Sequence, residues 1–360
     1  MDILLLESLI PEAMAWLEAR HSVAYRPALA HDERALRHST GHVRSIVVPN
    51  HVVVNQDFLE FAPDLEVVAR LQIGTDNIDL ETCRERGIKV LQARSANVRA
   101  NAEFLIGALL MMYRPGILSA ISNEVRAKNL AQGAAKPVSD FVPMGREING
   151  STIGLLGIGP AATVLAQLLT SMGARLIGYD PALHHTSTIW QQMRVQPVSL
   201  LEMLSTSDAV SVQMLYASRF KGFINDRVLS ACKPHQLWVS TSRAALFDVA
   251  SMVQALQDGR IQAWLSDSAD DSSDPATPLL RSLPNFFATQ RIGSLTRESR
   301  QRASWYMAHR LHDILSPDDE AHPSASMSMA LPGGDAPSSW IESTPPPLSP
   351  SVAARGGLKP

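Results

Sequence analysis

Cysteine is nearly missing from this chain: 360 residues carry two, Cys83 and Cys232. Two isolated thiols exclude a disulfide framework and fit a reducing compartment, so a cytoplasmic protein is expected. Long apolar runs are missing as well. None approaches the ~18 residues of a membrane span, and no membrane partner is expected. A surplus of one charge is also missing. Lys and Arg number 32 against 35 Asp and Glu, a formal net charge of -3, which offers no footprint for nucleic acid. The opening MDILLLESLIPEAMAWLEAR has neither a basic leader nor a small-residue cleavage site, and is not read as a signal peptide. No metal is expected.

What is present is alternation. ILLLE, SIVVPN, LEVVARLQI and IKVLQA read as strands. PEAMAWLEAR, QDFLEFA and DLETCRERG read as helices between them. Strands alternating with helices imply an α/β fold with parallel sheets. The length suits about two domains. NAEFLIGALLMMYR is apolar nearly all round, which marks a helix buried between domains or at a subunit interface. The polar stretch from Ile121 to Gly145 reads as a connection. A second alternating series starts at Ser151. Its strands are STIGLLG, ARLIGYD, AVSVQM, QLWVSTS, IQAWLSD and NFFATQ, and its helices fall at 160–173, 199–206, 225–231 and 248–258. A last helix is expected over 296–315. Beyond Ser316 the chain is rich in Pro, Ser and Gly without apolar period, and residues 317–360 are expected to be disordered.

GLLGIGPAAT contains Gly157, Gly159 and Ala162 in the pattern G-x-G-x-x-A, between a strand and a helix. Gly157 allows a tight turn, and Gly159 lets the backbone approach a pyrophosphate. Pro160 suits the first helical turn, whose N–H groups, with that of Ala161, offer an anion site. The next strand ends in Asp180, placed to accept ribose hydroxyls and repel a 2′-phosphate. The expected cofactor is NAD.

Several further segments resemble the D-isomer-specific 2-hydroxyacid dehydrogenase family, in order, from Met1 to about Leu315. They are LQIGTDNIDLETCRERGIKV, ANVRANAEFLIGALL, GREINGSTIGLLGIG, STSRAALFDVASMVQAL and LPNFFATQRIGSLTRES. The resemblance implies a Rossmann dinucleotide-binding domain plus a smaller, flavodoxin-like substrate domain. Residues 1–100 and 292–316 would form the substrate domain, and 101–291 the NAD-binding domain. The resemblance also implies a homodimer and a small 2-hydroxy or 2-oxo acid as substrate. The N–H groups of Ile73 and Gly74 would hold the substrate carboxylate, and Arg243 would grip the carboxylate and the reacting oxygen. Ser242 would line the cofactor site, and Asp267 would lie close to the nicotinamide.

One departure dominates. Arg291 stands where the family carries its catalytic histidine, and a guanidinium stays protonated at any working pH. The glutamate that orients that histidine is missing too: its place falls on Ser272 or, with an insertion, on Asp274. Other departures are Pro49, Gln72, Pro160, Gln213, Leu215, Ala217, Ala244, Ala245 and Gln290. His51 is the histidine that can be placed beside the cleft, although a plain loop histidine fits it as well. Three readings follow. In the first, the chain is a dehydrogenase with Arg291 as an electrostatic clamp. In the second, it is an NAD-binding sensor or interaction protein without turnover. In the third, it is a dehydrogenase whose Arg291 suits a more anionic acid.

Overall fold

The computed structural model describes residues 1–72, 74–75, 77–117, 144–268 and 274–316. The expectations for the 317–360 tail, most of the 121–145 connection, Ile73 and Ser272 lie outside the described residues.

Two parallel sheets organise the chain. The first holds β1 (Ile3–Leu5), β2 (Val23–Tyr25), β3 (Ser45–Val47), β4 (Val67–Arg70) and β5 (Lys89–Gln92), in the order β2-β1-β3-β4-β5. That is the flavodoxin-like order. Four of these strands are legible as apolar runs. The fifth, β2, is a short, half-exposed edge strand, and an edge strand has no need of an apolar run. Successive residues of a strand face opposite ways. Ile3 and Leu5 therefore pack with Leu17 of α1 (Pro11–Glu18) and with Met307 and Leu311 of the last helix. Leu4 packs on the other face with Leu36 of α2 (Glu33–Ser39), Phe58 of α3 (Gln56–Glu60) and Cys83 of α4 (Leu80–Glu85). Cys83 and Cys232 are both free and buried.

The second sheet holds β6 (Thr152–Leu156), β7 (Arg175–Tyr179), β8 (Gln196–Pro197), β9 (Ala209–Val212), β10 (Gln236–Ser240), β11 (Ile261–Ser266) and β12 (Phe286–Ala288). Its order is β12-β11-β10-β9-β6-β7-β8. This is the doubly wound dinucleotide-binding arrangement extended by one strand. The expected six strands are all present. The seventh, β8, is a short edge strand, too brief for any periodic signal.

On one face lie α5 (Val98–Met112) and α6 (Pro160–Ser171). They bury Leu105, Leu109, Leu165 and Leu169 against Ile153, Leu155 and Val239. Leu110 of α5 is exposed, so this helix is not buried all round. The other face is covered by α8 (Leu200–Thr206) and α10 (Val249–Gln257), through Met203, Met252 and Leu256 on Val210 and Trp238. Three further short helices are α7 (Thr188–Met193), α9 (Asp226–Leu229) and α11 (Thr277–Ser282). The chain ends its described part in α12 (Arg297–Leu315), capped by the Thr296 hydroxyl on the Ser299 N–H. Helix α12 belongs to the core of the first sheet, although the whole second sheet separates the two in sequence.

Among the described residues no helix is long and apolar enough to cross a membrane. None of them forms a group of three or more His, Cys, Asp or Glu arranged for a metal ion.

Candidate active site

The strand order of the second sheet reverses between β6 and β9, and parallel sheets of this kind bind ligands at the carboxyl ends of such a pair. Gly157 turns the chain there at φ +93°. A Cβ on it would lie 2.5 Å from the Met214 Cα, so the close approach of two backbones excludes any side chain. Gly159 is the N-cap residue of α6, with Pro160 in the first turn. A Cβ on Gly159 meets nothing within 4 Å, which leaves open space beside the helix end. The N–H groups of the first turn, including those of Ala161 and Ala162, have no partner within the helix. Ala162 is buried, as a small residue between helix and strand should be.

Asp180 sits directly beside this turn. Its Oδ2 accepts the Ile158 N–H at 2.7 Å and its Oδ1 the Ala182 N–H at 2.8 Å. A carboxylate that accepts one N–H on each oxygen keeps acceptor capacity for a diol. Burial first, then the Asp180 charge, pushes the neighbouring Tyr179 phenol up. Gln213, noted from sequence as a departure, supports the turn. Its Nε2 donates to the Gly157 carbonyl at 2.8 Å, while its Oε1 accepts the Ser211 hydroxyl. Ser242 is buried and donates to the Met214 carbonyl at 2.9 Å, which ties the loop after β10 to the loop after β9. The open space at Gly159, the unpaired helix N-terminus and Asp180 fit a dinucleotide.

A second group gathers at the ends of the neighbouring strands. Arg243, half-buried, opens a helical turn after β10. Asp267 follows β11 and is 5% exposed. Its Oδ1 accepts the Thr289 hydroxyl at 2.6 Å and the Ile292 N–H at 2.8 Å, and its Oδ2 accepts the Gly293 N–H at 2.7 Å. One carboxylate thus pins the whole 289–293 loop. Arg291, inside that loop, is half-buried and held at φ +57°, a region that non-glycine residues seldom adopt. Asp274 is engaged locally: its Oδ1 accepts the Ala276 N–H at 2.9 Å, in the turn ahead of α11. His51 is exposed and stacks on His31, ring centroids 4.8 Å apart.

The third group is on the first sheet. Gly74, at φ +116°, lies in the turn after β4. Arg70 Nη1 donates to Asn77 Oδ1 at 2.5 Å across the base of that turn. Sequence reading passed over Arg70 and Asn77. The one available signal was a charge closing the apolar run VVAR, which by itself reads as an ordinary strand end.

These features define a two-sheet α/β protein with a dinucleotide site at the switch point of its larger sheet. Comparison with known proteins makes the assignment specific. The family model described as "D-isomer specific 2-hydroxyacid dehydrogenase, NAD binding domain" matches residues 107–293. The (S)-sulfolactate dehydrogenase of Chromohalobacter salexigens is 30% identical over 87% of this chain and 98% of its own length. The D-3-phosphoglycerate dehydrogenase of Mycobacterium bovis is 26% identical over 87% of this chain, which spans 57% of that longer enzyme. The solved D-lactate dehydrogenase from Aquifex aeolicus, complexed with NAD and lactic acid, superposes with a TM-score of 0.72 at 19% identity. It covers 88% of this chain and 96% of its own, a likeness of fold. The chain belongs to the D-isomer specific 2-hydroxyacid dehydrogenases, NAD-dependent oxidoreductases acting on small 2-hydroxy acids, and its cofactor is NAD. The sensor reading gains no support over the dehydrogenase reading from these relatives.

Proposed function

We propose that the protein transfers hydride between NAD(H) and a small 2-hydroxy or 2-oxo acid bearing a second anionic group, which Arg291 receives. The observation that carries this is the Asp267 clamp on residues 289–293. A left-handed arginine costs about 1–3 kcal/mol of backbone strain, and the clamp holds Arg291 in that strain at the place of the family's acid. The sulfolactate relative supports the same substrate class, since its substrate carries a sulfonate besides a carboxylate.

In this reading the N–H groups of Ile73 and Gly74 hold the substrate carboxylate. Arg243 grips the carboxylate and the reacting oxygen, with the bidentate fit of a planar guanidinium. Gly157, Gly159, Pro160 and Ala161 hold the pyrophosphate, Asp180 the ribose hydroxyls, and Ser242 and Asp267 line the nicotinamide end. The bound dihydronicotinamide supplies the hydride to the carbonyl carbon. Arg243 stabilises the alkoxide forming on the reacting oxygen. Solvent supplies the proton, because neither guanidinium gives one up. Asp274 shapes the entry to α11 and takes no part in proton relay.

The same proposal assigns residues 1–100 and 292–316 to the substrate domain and 101–291 to the NAD-binding domain. The packing of α12 on the first sheet and of α5 on the second supports that division. It takes the protein to be a cytoplasmic homodimer. Exposed Leu110 on α5 supports the pairing, and two free thiols support the compartment.

The test is a reduction assay with NADH across sulfopyruvate, phosphohydroxypyruvate, oxaloacetate, pyruvate and glyoxylate. The dianionic acids should lead in kcat/KM by at least ~10-fold, the scale of one charge-assisted contact. Arg291→Ala should erase that lead, and Arg243→Ala should remove turnover on every acid. A preference for pyruvate or glyoxylate, unchanged by Arg291→Ala, would refute the proposal.

A further inference from the structure

The amino edge of the first sheet carries a histidine pair that the hydride reaction does not use. His21 lies in the turn between α1 and β2, and His312 lies in the last turns of α12. His21 Nε2 and His312 Nδ1 face each other at 2.9 Å, and both residues are half-buried. A bond between two imidazole nitrogens needs a hydrogen on one and a lone pair on the other. Trp16 of α1 packs beside the pair. Its ring meets His312 at nearly a right angle, centroids 5.2 Å apart, and His309 at 4.7 Å. The Arg20 guanidinium stands 4.1 Å over the same ring and donates to the Trp16 carbonyl at 2.9 Å.

The pair secures only one end of α12. Towards the other end, the Ile10 N–H donates to the Ser304 hydroxyl at 3.1 Å and Arg300 donates to the Ser8 hydroxyl. Those bonds fasten the helix to the segment after β1, on the cleft side of the sheet. At the far end, the other polar tie is long. Arg44 Nη2 reaches the Leu315 carbonyl at 3.3 Å, while its Nε is committed to Glu66 at 2.6 Å. Parting the two histidines therefore frees the last turns of α12 and leaves its first turns held.

The charged and titratable groups facing the pair are Asp2, Arg20, Arg44 and His309, with Asp313 beside His309. Asp2 alone favours a protonated His21, and it already accepts the Ser22 N–H at 2.9 Å and lies 3.8 Å from Arg44. Burial first, then His312, holds His21 below the ordinary histidine range, and burial does the same to His309. One proton added to the pair still leaves a donor facing an acceptor. A second puts N–H on both facing nitrogens, and the bond becomes a contact between two cations.

We infer that the His21–His312 pair is an acid-operated latch, which fastens the C-terminal turns of α12 to the turn before β2 and releases them when both imidazoles are protonated. A histidine lowered in the folded state contributes stability that is fully present above the ordinary histidine value. That contribution is lost as pH falls through the lowered one. The opening is local, because the Ser304 and Arg300 bonds involve no histidine.

Hydrogen exchange on the full chain tests this, read over residues 306–316 from about pH 8 to about pH 5 and corrected for the intrinsic rate at each pH. Wild type should exchange about fivefold faster there at the acid end, the scale of one net hydrogen bond. Residues 160–171 on the second sheet should keep their protection. His21→Gln should abolish the acid rise, since a side-chain amide can present either its NH₂ or its oxygen to His312. His21→Ala should exchange fast over 306–316 at both ends of the range. A flat wild-type profile would overturn the inference, as would a rise that persists in His21→Gln or one that is equal over 160–171. Protection in His21→Ala equal to wild type at pH 8 would overturn it too.

Discussion

Asp267 Oδ2 accepts the Gly293 N–H at 2.7 Å, and a Cβ on Gly293 would stand 2.7 Å from that same oxygen and 3.0 Å from the Phe104 ring. The carboxylate, the glycine and the α5 ring thus define how closely the Arg291 loop lies against the larger sheet. Gly293→Ala should displace that loop. Asp267→Asn should do so more gently, since one of the three donors would then face an NH₂ group. A buried donor left without its acceptor costs about 1–3 kcal/mol. Urea denaturation should show a loss of that size in both variants, with turnover falling as well. Wild-type midpoints for both would mean that the clamp is not a structural determinant.

Arg291 carries backbone strain at φ +57°. Arg291→Gly relieves it, while glycine adds unfolded-state entropy of about 0.4–1 kcal/mol. The relief matches or exceeds that cost, so the melting temperature should not fall on this account while the preference for dianionic acids disappears. Arg291→His should raise turnover of pyruvate or glyoxylate only modestly, well short of the ~10²–10⁴-fold that positioned acid–base catalysis contributes. Its imidazole would lack an orienting acid, since Asp274 is engaged by the Ala276 N–H. Adding Asp274→Glu should raise the rate further. A large gain from Arg291→His alone would show that an acid partner exists after all.

Asp180 bears on cofactor choice. NADH should bind more tightly than NADPH in fluorescence titrations, because a 2′-phosphate would face this carboxylate. Asp180→Ala should weaken NADH and narrow the gap. It should also loosen the glycine turn, whose Ile158 N–H loses its acceptor. Equal affinities for the two cofactors in the wild type would contradict this.

Glu7 makes stability depend on pH in a defined direction. Its folded-state pKa is raised, by burial first. Its contribution is therefore fully present below the ordinary glutamate pKa and is lost as pH rises through the raised folded value. Wild type should compare best with Glu7→Gln at acid pH and progressively worse toward neutrality. Denaturation curves for the pair from pH 4 to 8 check the sign, and a constant difference would show that Glu7 titrates normally.

Much of this was legible in the chain alone. The runs STIGLLG, ARLIGYD, AVSVQM and QLWVSTS became β6, β7, β9 and β10, because strands covered on both faces must be apolar throughout. Gly157 was readable because only glycine suits that turn, Gly159 by its place in the G-x-G-x-x-A spacing, and Asp180 because it closes the next strand. Tertiary structure decided the rest. The edge strands β2 and β8 take their pairing from a neighbour, which no local pattern records. Asp267 read as a strand-end acid, and only the fold brings Thr289, Ile292 and Gly293 onto it. Gln213 read as a departure, yet in the folded chain it holds the Gly157 carbonyl. Ser8 and Arg300 stand far apart in sequence and meet because β1 and α12 share one core. Sequence determines local preference and burial through periodicity. Which polar groups meet depends on loops converging from distant strand ends, and that convergence exists only once the sheets have formed.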